Sequence, residues 1–207
     1  MLRLTSFVAA ASFVVLAASS QAAIIFDNPI TGTNPNTANP YTTGQTVDPN
    51  ITVTGIGRGA GITGTNANDR YNANSWNTTT LDPTGYFEWT LTPNGGYEID
   101  YTDLTFVAQA SGTGPTSFAF RTSADTFTGN IGTPTATGAT IDLSAFQNVT
   151  TAMTFRLYGW NASGSAGTYS VNWFTFNGAV SSVIVPEPAT LGAVAGLGLV
   201  ALRRRRA

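Results

Sequence analysis

The chain contains no histidine, no cysteine and no lysine among its 207 residues. Without these residues, the Ser-His-Asp, Cys-His and Ser-Lys pairings that activate a nucleophile cannot form, and neither can a Schiff base. Zinc sites built from cysteine or histidine are excluded for the same reason. Because no disulfide can form, any folded domain must be stabilised by its hydrophobic core.

The acid–base chemistry that remains is that of carboxylates. Glu88 and Glu98 are the only glutamates between residues 23 and 182, and they flank one predicted hairpin. A glycoside hydrolase needs two carboxyl groups about 5–10 Å apart, one of them with a raised pKa. Charged residues on strands, however, usually occupy the solvent-exposed face of a sheet. The sequence therefore predicts a protein that is not an enzyme, and a carboxylate glycoside hydrolase is only the third hypothesis.

Positive charge is also scarce in the middle of the chain. Residues 23–182 hold four arginines and ten acidic residues, a net charge of −6. Nucleic-acid binding depends largely on basic side chains that neutralise phosphates. The sequence therefore predicts no nucleic-acid partner for this part of the chain.

The N-terminus has the organisation of a secretory signal peptide. Arg3 supplies the positive charge, residues 7–18 form the apolar segment, and Ser20 and Ala22 are the small residues required before the cleavage site. We expect the secretory translocon to export the chain and signal peptidase to cleave it after Ala22. The mature chain then begins at Ala23.

The C-terminus combines three features in a fixed order. Pro186 and Pro188 prevent a helix from passing through the Pro-Glu-Pro motif, and Pro188 is a favourable first residue for the helix that follows. Residues 189–202 carry no charge. As a helix they cover only about 20 Å, against a hydrocarbon core of about 30 Å. The chain ends in a basic cluster that favours a cytoplasmic C-terminus, formed by Arg203, Arg204, Arg205 and Arg206.

This arrangement closely resembles the PEP-CTERM sorting signal, with Pro186, Glu187 and Pro188 as the motif. The resemblance implies a membrane-embedded, exosortase-like partner that recognises the tail and cleaves it near the motif after export. It implies an exported protein, held transiently in the membrane by one hydrophobic helix and then placed at the cell surface or in an extracellular matrix. A plain tail anchor that remains in the membrane is the alternative.

The region between the two signals shows strand patterns and turn residues. The turn sequence of residues 93–96, between the patterns of residues 86–92 and 97–101, predicts a hairpin. Residues 57–85 are predicted to be a long loop, either functional or containing short strands, and residues 143–148 a helical turn. The strand patterns cover residues 24–27, 51–56, 86–92, 97–101, 104–108, 117–122, 152–158 and 169–176.

Short strands rich in threonine and aromatic residues predict an all-β fold, an antiparallel β-sandwich with a jelly-roll-like connection. The predicted organisation is a signal peptide (1–22), one β-sandwich domain (23–182) and a sorting signal (183–207). Residues 86–97, 111–117 and 154–161 also look like the short β-sandwich domains found upstream of PEP-CTERM tails. That resemblance implies a fold and no activity.

Carbohydrate binding is the second functional hypothesis. Tyr71 and Trp76 in the long loop, and Tyr158 and Trp160 near a strand end, have polar neighbours and could stack on the sugars of an envelope or matrix polysaccharide. Burial of these rings in the core is the alternative. No zinc-type metal site or organic cofactor is expected. A structural calcium ion is the only metal considered, and its candidate ligands are Asp27, Asp100, Asp103 and Asn172.

Overall fold

The computed structural model describes residues 23–183. The predicted signal peptide with its cleavage site at Ala22 lies outside the described residues. So do the motif Pro186-Glu187-Pro188, the apolar segment and the cluster Arg203–Arg206. Within the described part of the chain, no helix is long and apolar enough to cross a membrane.

The described residues form an all-β structure. Twelve strands are present, and the one helix among the described residues is a short 3₁₀ helix at Ser123–Asp125. The strands are β1 (Ala23–Asn28), β2 (Thr46–Val47), β3 (Ile51–Val53), β4 (Gly57–Arg58), β5 (Thr63–Gly64), β6 (Tyr71–Asn74), β7 (Tyr86–Pro93), β8 (Tyr97–Ala110), β9 (Ser117–Thr122), β10 (Gly138–Asp142), β11 (Met153–Trp160) and β12 (Tyr169–Ser182).

The strands form two antiparallel sheets. The larger sheet has seven strands in the order β10-β8-β12-β1-β2, with β6 also paired to β12 and β5 paired to β6. The smaller sheet has five strands in the order β3-β7-β11-β9, with β4 also paired to β7. The prediction of an all-β protein with antiparallel sheets is therefore confirmed.

The two sheets pack against each other through aromatic side chains. Strand β7 alternates strictly, and it buries Phe87, Trp89, Leu91 and Pro93 while the residues between them stay half-buried. The Trp89 ring lies edge-on to Phe174 of the larger sheet, with 5.4 Å between ring centroids. Phe155 of β11 likewise lies 5.1 Å from Phe176. Large buried rings supply the apolar area that stabilises a domain without disulfides.

The predicted hairpin of residues 86–101 is wrong. Both strands exist, but β7 belongs to the smaller sheet and β8 to the larger one. The turn at Pro93–Gly96 therefore carries the chain across the sandwich, with the Tyr97 N–H donating to the Asn94 carbonyl at 3.0 Å. Strand β8 pairs with β12 along its whole length instead. Alternation shows which side of a strand is buried, but it does not identify the neighbouring strand.

Other predicted elements are mostly present with altered bounds. The strand predicted for residues 51–56 ends at Val53, close to Gly55, whose φ of 81° is unfavourable for other residues. The long loop of residues 57–85 contains the short strands β4, β5 and β6. Residues 143–148 form a non-helical turn.

Both ends of the described chain emerge at the same end of the larger sheet. Strands β1 and β12 are antiparallel neighbours in which Ala23 pairs with Gly178, and Ser182 pairs with Tyr97. At the other end of the sheet, Tyr169 pairs with Ala110. The loops of residues 111–116 and 161–168 therefore lie opposite the two ends of the described chain.

Candidate functional site

The outer face of the larger sheet carries a line of polar side chains that crosses five strands. At one register position, each of the neighbouring strands β2, β1, β12, β8 and β10 contributes a threonine or an aspartate. We call this line the polar row, and its members in spatial order are Thr46, Asp27, Thr175, Thr105 and Thr140.

The members of the polar row face solvent because the strands alternate. All five are exposed or half-buried, whereas their sequence neighbours Phe26, Leu104 and Ile141 are buried. Threonine suits this position because its branched side chain fits a strand and its hydroxyl group remains available to solvent. The hydroxyl oxygens of Thr105 and Thr140 lie 2.9 Å apart. With strands about 4.8 Å apart, the row is about 19 Å long.

Trp173 lies beside the polar row with part of its ring open to solvent. Its exposed fraction is 37%, and among the described residues the only other strongly exposed large hydrophobic residue is Ile24. Trp173 pairs with Val107, one step along the strands from the Thr175–Thr105 pair. A shallow groove of about 300 Å³ lies here, and its lining includes Asp27, Pro29, Thr31, Trp173 and Thr175.

A β-bulge turns Trp173 outward. In regular alternation Trp173 would follow Val171 into the core, but the register shifts between these two residues and leaves Asn172 as the extra residue. Phe174 then takes the buried position. An extra residue in one strand changes which side the following side chains occupy. Trp173 was not predicted as a site residue from the sequence. The one available signal was the adjacent Trp173-Phe174 pair, which breaks strict alternation.

Carboxylates lie next to the polar row, on the side opposite Trp173. Asp103 pairs with Asn177, whose side-chain amide donates to the Asp103 carboxylate at 2.8 Å. Asp142 pairs with Asp103 on the other side, and hydrogen bonds from Ser144 lower the pKa of Asp142. The polar row and its surroundings therefore carry negative charge at neutral pH.

The outer face of the smaller sheet carries a different cluster, centred on Arg156. The Arg156 guanidinium lies over the rings of both Tyr86 and Phe127, 4.0 Å from each ring centroid. Its Nε atom donates to the Glu88 carboxylate at 3.1 Å. Partial burial, followed by the nearby Glu88 carboxylate, raises the pKa of Tyr86. In this cluster, the charge of Arg156 and the faces of the two rings are therefore already in contact with each other.

The Phe127 ring is positioned by a loop with an uncommon backbone. Thr126 and Phe127 both have positive φ angles, 59° and 61°, a conformation that is unfavourable for residues with a side chain. The Asp125 carboxylate stabilises the loop by accepting the Gly129 N–H at 2.6 Å, and this bond lowers the pKa of Asp125. Arg121 also donates to the Phe127 carbonyl at 2.9 Å.

Two of the four aromatic residues predicted to bind sugar lie in the core. Tyr71 is fully buried beneath the Arg58 guanidinium, 3.7 Å from its ring centroid, and burial raises the pKa of Tyr71 to about 12. Trp76 is 1% exposed and its indole N–H donates to the Ala73 carbonyl at 2.9 Å. A buried ring presents no face to a sugar, so the sugar-binding role predicted for Tyr71 and Trp76 is wrong.

The other two predicted residues, Tyr158 and Trp160, lie on the smaller sheet. Tyr158 is covered by its neighbours, including the Tyr86 ring at a centroid distance of 5.5 Å. Trp160 is half-buried at the end of β11. The structure therefore does not bring the four predicted aromatic residues together in one site.

The two candidate catalytic glutamates lie in different sheets. Glu88 on β7 is paired with Arg156, whereas Glu98 on β8 pairs with Ser181 of β12. Because the expected hairpin does not form, the two glutamates do not lie on paired strands. The pairing on which the glycoside hydrolase hypothesis was based is therefore absent.

The candidate calcium ligands do not form a cluster within the described residues. Within residues 23–183, no three acidic, histidine or cysteine side chains come close enough to hold a metal ion. Asp27 and Asp103 lie on separate strands, and the Asp100 carboxylate accepts the Asn148 N–H at 2.6 Å. Asn172 occupies the β-bulge of β12.

Comparisons with known proteins give no relative on which to base a function. No family model matches the chain, and no curated protein or solved structure matches it. A functional assignment is therefore argued from the sequence patterns at the two ends of the chain and from the two outer faces of the sandwich.

Proposed function

We propose that this is an exported protein without catalytic activity, sorted to the cell surface or an extracellular matrix by an exosortase-like membrane enzyme. The observation that carries the proposal is the order of three features at the C-terminus. A Pro-Glu-Pro motif, an uncharged apolar segment and four arginines follow one another between residues 186 and 206. The apparent signal peptide at the other end supports export by the translocon and cleavage by signal peptidase.

The fold is compatible with this route. Because both ends of the described chain emerge at one end of the larger sheet, an anchor in the tail would hold that end of the domain near the membrane. The loops of residues 111–116 and 161–168 would then lie farthest from the membrane, and both outer faces would remain free. This geometry suits a domain that is displayed and later released.

We also propose that the sandwich has a jelly-roll-like connection. From β7 to β12, every consecutive strand lies in the opposite sheet from the one before it. Repeated crossing between two sheets is typical of Greek-key and jelly-roll folds.

The intact mass of the protein recovered from its native host tests the sorting proposal. We expect a mass that begins at Ala23 and ends near Pro188, with or without an added group. A Glu187→Gln variant and a variant without the four terminal arginines should accumulate uncleaved in the membrane. Glu98→Gln, a matched change inside the domain, should be processed normally. A wild-type mass extending to Ala207 would mean a plain tail anchor and would overturn sorting.

A second candidate function is carbohydrate binding, and the exposed ring of Trp173 beside the polar row favours it. Sugar-binding sites often combine an accessible aromatic ring with a few polar side chains. Retention of the protein by a panel of insoluble or immobilised polysaccharides tests this function. If no polysaccharide retains the protein, this function is excluded, and the sorting proposal is unaffected.

A further inference from the structure

We propose that the outer face of the larger sheet binds a neutral, linear polysaccharide that lies across the strands along the polar row, with one sugar stacked on Trp173. This inference rests on the second candidate function and assigns to it a site, an orientation and a class of ligand. The residues that carry it come from β1, β2, β8, β10 and β12.

Trp173 supplies the apolar part of the site. Its ring is the most exposed aromatic surface among the described residues, and Val107 is its cross-strand neighbour. A partly exposed tryptophan offers an apolar face, and the axial C–H face of a pyranose ring is a surface that can stack on it. The adjoining groove has carboxylate and hydroxyl groups in Asp27, Thr31 and Thr175, which can hydrogen-bond the hydroxyls at the edge of the same sugar.

The polar row extends the site in one direction. Each strand presents one hydrogen-bonding side chain at intervals of about 4.8 Å, so a chain of sugars crossing the sheet would meet a new partner at each strand. Threonine hydroxyls can donate and accept, and aspartate accepts only. Sugar hydroxyls both donate and accept hydrogen bonds, so threonine and aspartate side chains can each bind them. A compact ligand would use only one or two members of the row.

Charge selects a neutral polymer. Asp27 in the row, and Asp103 and Asp142 beside it, place carboxylates along the path. Arg70 is the basic residue on this face among the described residues, and it lies beyond Trp173, hydrogen-bonded to Gln109. A polyuronate would therefore face several like charges, which disfavour its binding.

The outer face of the smaller sheet serves as an internal control. It carries a comparable hydroxyl pair, Thr90 and Thr154, with 2.8 Å between their oxygens, and a half-buried tryptophan, Trp160. Its other aromatic faces at Tyr86 and Phe127 are covered by Arg156. Substitutions on the two faces can therefore be matched residue by residue.

The test measures binding of the full chain to bead-coupled polysaccharides over a range of protein concentrations. The protein is kept in solution with a detergent that has no sugar head group. Neutral linear xylan, mannan and β-glucan are compared with alginate as the polyuronate. The variants are Trp173→Ala and Thr105→Val, with Trp160→Ala and Thr90→Val as matched controls. Circular dichroism verifies that each variant is folded.

We expect at least one neutral polysaccharide to retain the wild-type protein and alginate to retain it less. Trp173→Ala should weaken binding about tenfold and Thr105→Val about threefold, and the controls should bind normally. If Trp160→Ala weakens binding and Trp173→Ala does not, carbohydrate binding stands and this site is wrong. Preferential retention by alginate would overturn the neutral class of ligand. No retention by any polysaccharide would overturn both this inference and the second candidate function.

Discussion

The two outer faces of the sandwich are built from the same kinds of residue but leave different groups free. On the smaller sheet, Arg156 lies between two aromatic rings and is paired with Glu88, so charge and aromatic surface satisfy each other. On the larger sheet, no arginine among residues 23–183 covers the ring of Trp173, and the polar row lies on the solvent side of these residues. The first arrangement stabilises the domain. The second leaves an aromatic ring partly exposed beside solvent-facing hydroxyls, of which those of Thr105 and Thr140 also hydrogen-bond each other.

Composition alone does not distinguish the two faces. Both faces contain tryptophan, threonine and carboxylates, and the face with more aromatic residues is the one whose rings are engaged within the protein. What matters is whether each group already has a partner in the folded chain.

The largest effect is expected when a tryptophan inside the sandwich is compared with the one on the open face. Trp76→Ala should lower the free energy of unfolding by about 3–5 kcal/mol, because it leaves a cavity beside Phe87 and Tyr169. Trp173→Ala should cost less than about 1 kcal/mol. Urea unfolding of the protein, followed by circular dichroism, measures both. Equal costs would mean that Trp173 is a core residue and that its face is not open.

At alkaline pH, the free energy of unfolding should fall more because of a buried tyrosine in the interior than because of a tyrosine on the outer face of the smaller sheet. The pKa of Tyr71 is raised to about 12 by burial, whereas the unfolded chain has an ordinary tyrosine pKa near 10. Above about pH 10 the unfolded state releases the proton first, so stability present below pH 10 is lost as the pH rises to 12. Tyr71 accounts for about 2–3 kcal/mol of this loss, and burial also raises the pKa of Tyr101 and Tyr169, which add to it.

Urea unfolding at several pH values measures this alkaline loss of stability. Tyr71→Phe should make the decline between pH 10 and 12 shallower. The matched change Tyr86→Phe should alter the decline less, because Tyr86 is only partly buried. A decline unchanged by Tyr71→Phe would contradict the assignment of this pH dependence to Tyr71.

An intermediate effect is expected from the two arginines on opposite faces. Arg156→Met should lower the free energy of unfolding by about 1–2 kcal/mol, through loss of two cation–π contacts and one ion pair. Arg70→Met on the larger sheet should cost less than about 0.5 kcal/mol. The Arg156 contribution should shrink in 1 M salt, where the screening length is about 3 Å. Equal, salt-independent effects would indicate that Arg156 acts through packing alone.

The smallest effect on stability is expected from the matched threonine pairs. Thr90→Val and Thr105→Val each remove one hydroxyl from a solvent-facing pair, so each should change the free energy of unfolding by less than about 1 kcal/mol. The two variants should differ in polysaccharide binding only. A large stability loss in Thr105→Val would show that the polar row is a structural device of the larger sheet.

Much of the fold could be predicted from the sequence because alternation is a local property. The patterns at residues 86–92 and 117–122 predicted strands that the structure contains as β7 and β9, within one residue of their observed ends. The hairpin failed because its two strands find better partners across the chain, β11 and β12. Strand β10 was missed because its five residues include glycine and show weak alternation.

The types of residue in the candidate site could be predicted from the sequence, but their positions could not. An accessible aromatic ring with polar neighbours was expected, but at Tyr71 and Trp76, which lie in a stretch that appeared to be a loop and proved to contain β6. Trp173 was missed because its outward direction depends on the bulge at Asn172. A bulge places one extra residue in one of two paired strands. Its position therefore depends on the partner strand as well as on residues 169–176.

The amino-acid sequence was sufficient to exclude several kinds of catalytic site and to predict the all-β class and the inward-facing residues of the main strands. It also contains the two terminal patterns from which the sorting proposal is argued. Which strands are neighbours became clear only in three dimensions. The order of the strands therefore places Thr46, Asp27, Thr175, Thr105 and Thr140 in one line. The reason is physical: side-chain periodicity is set residue by residue along the backbone, whereas strand pairing is selected by the packing of the whole core.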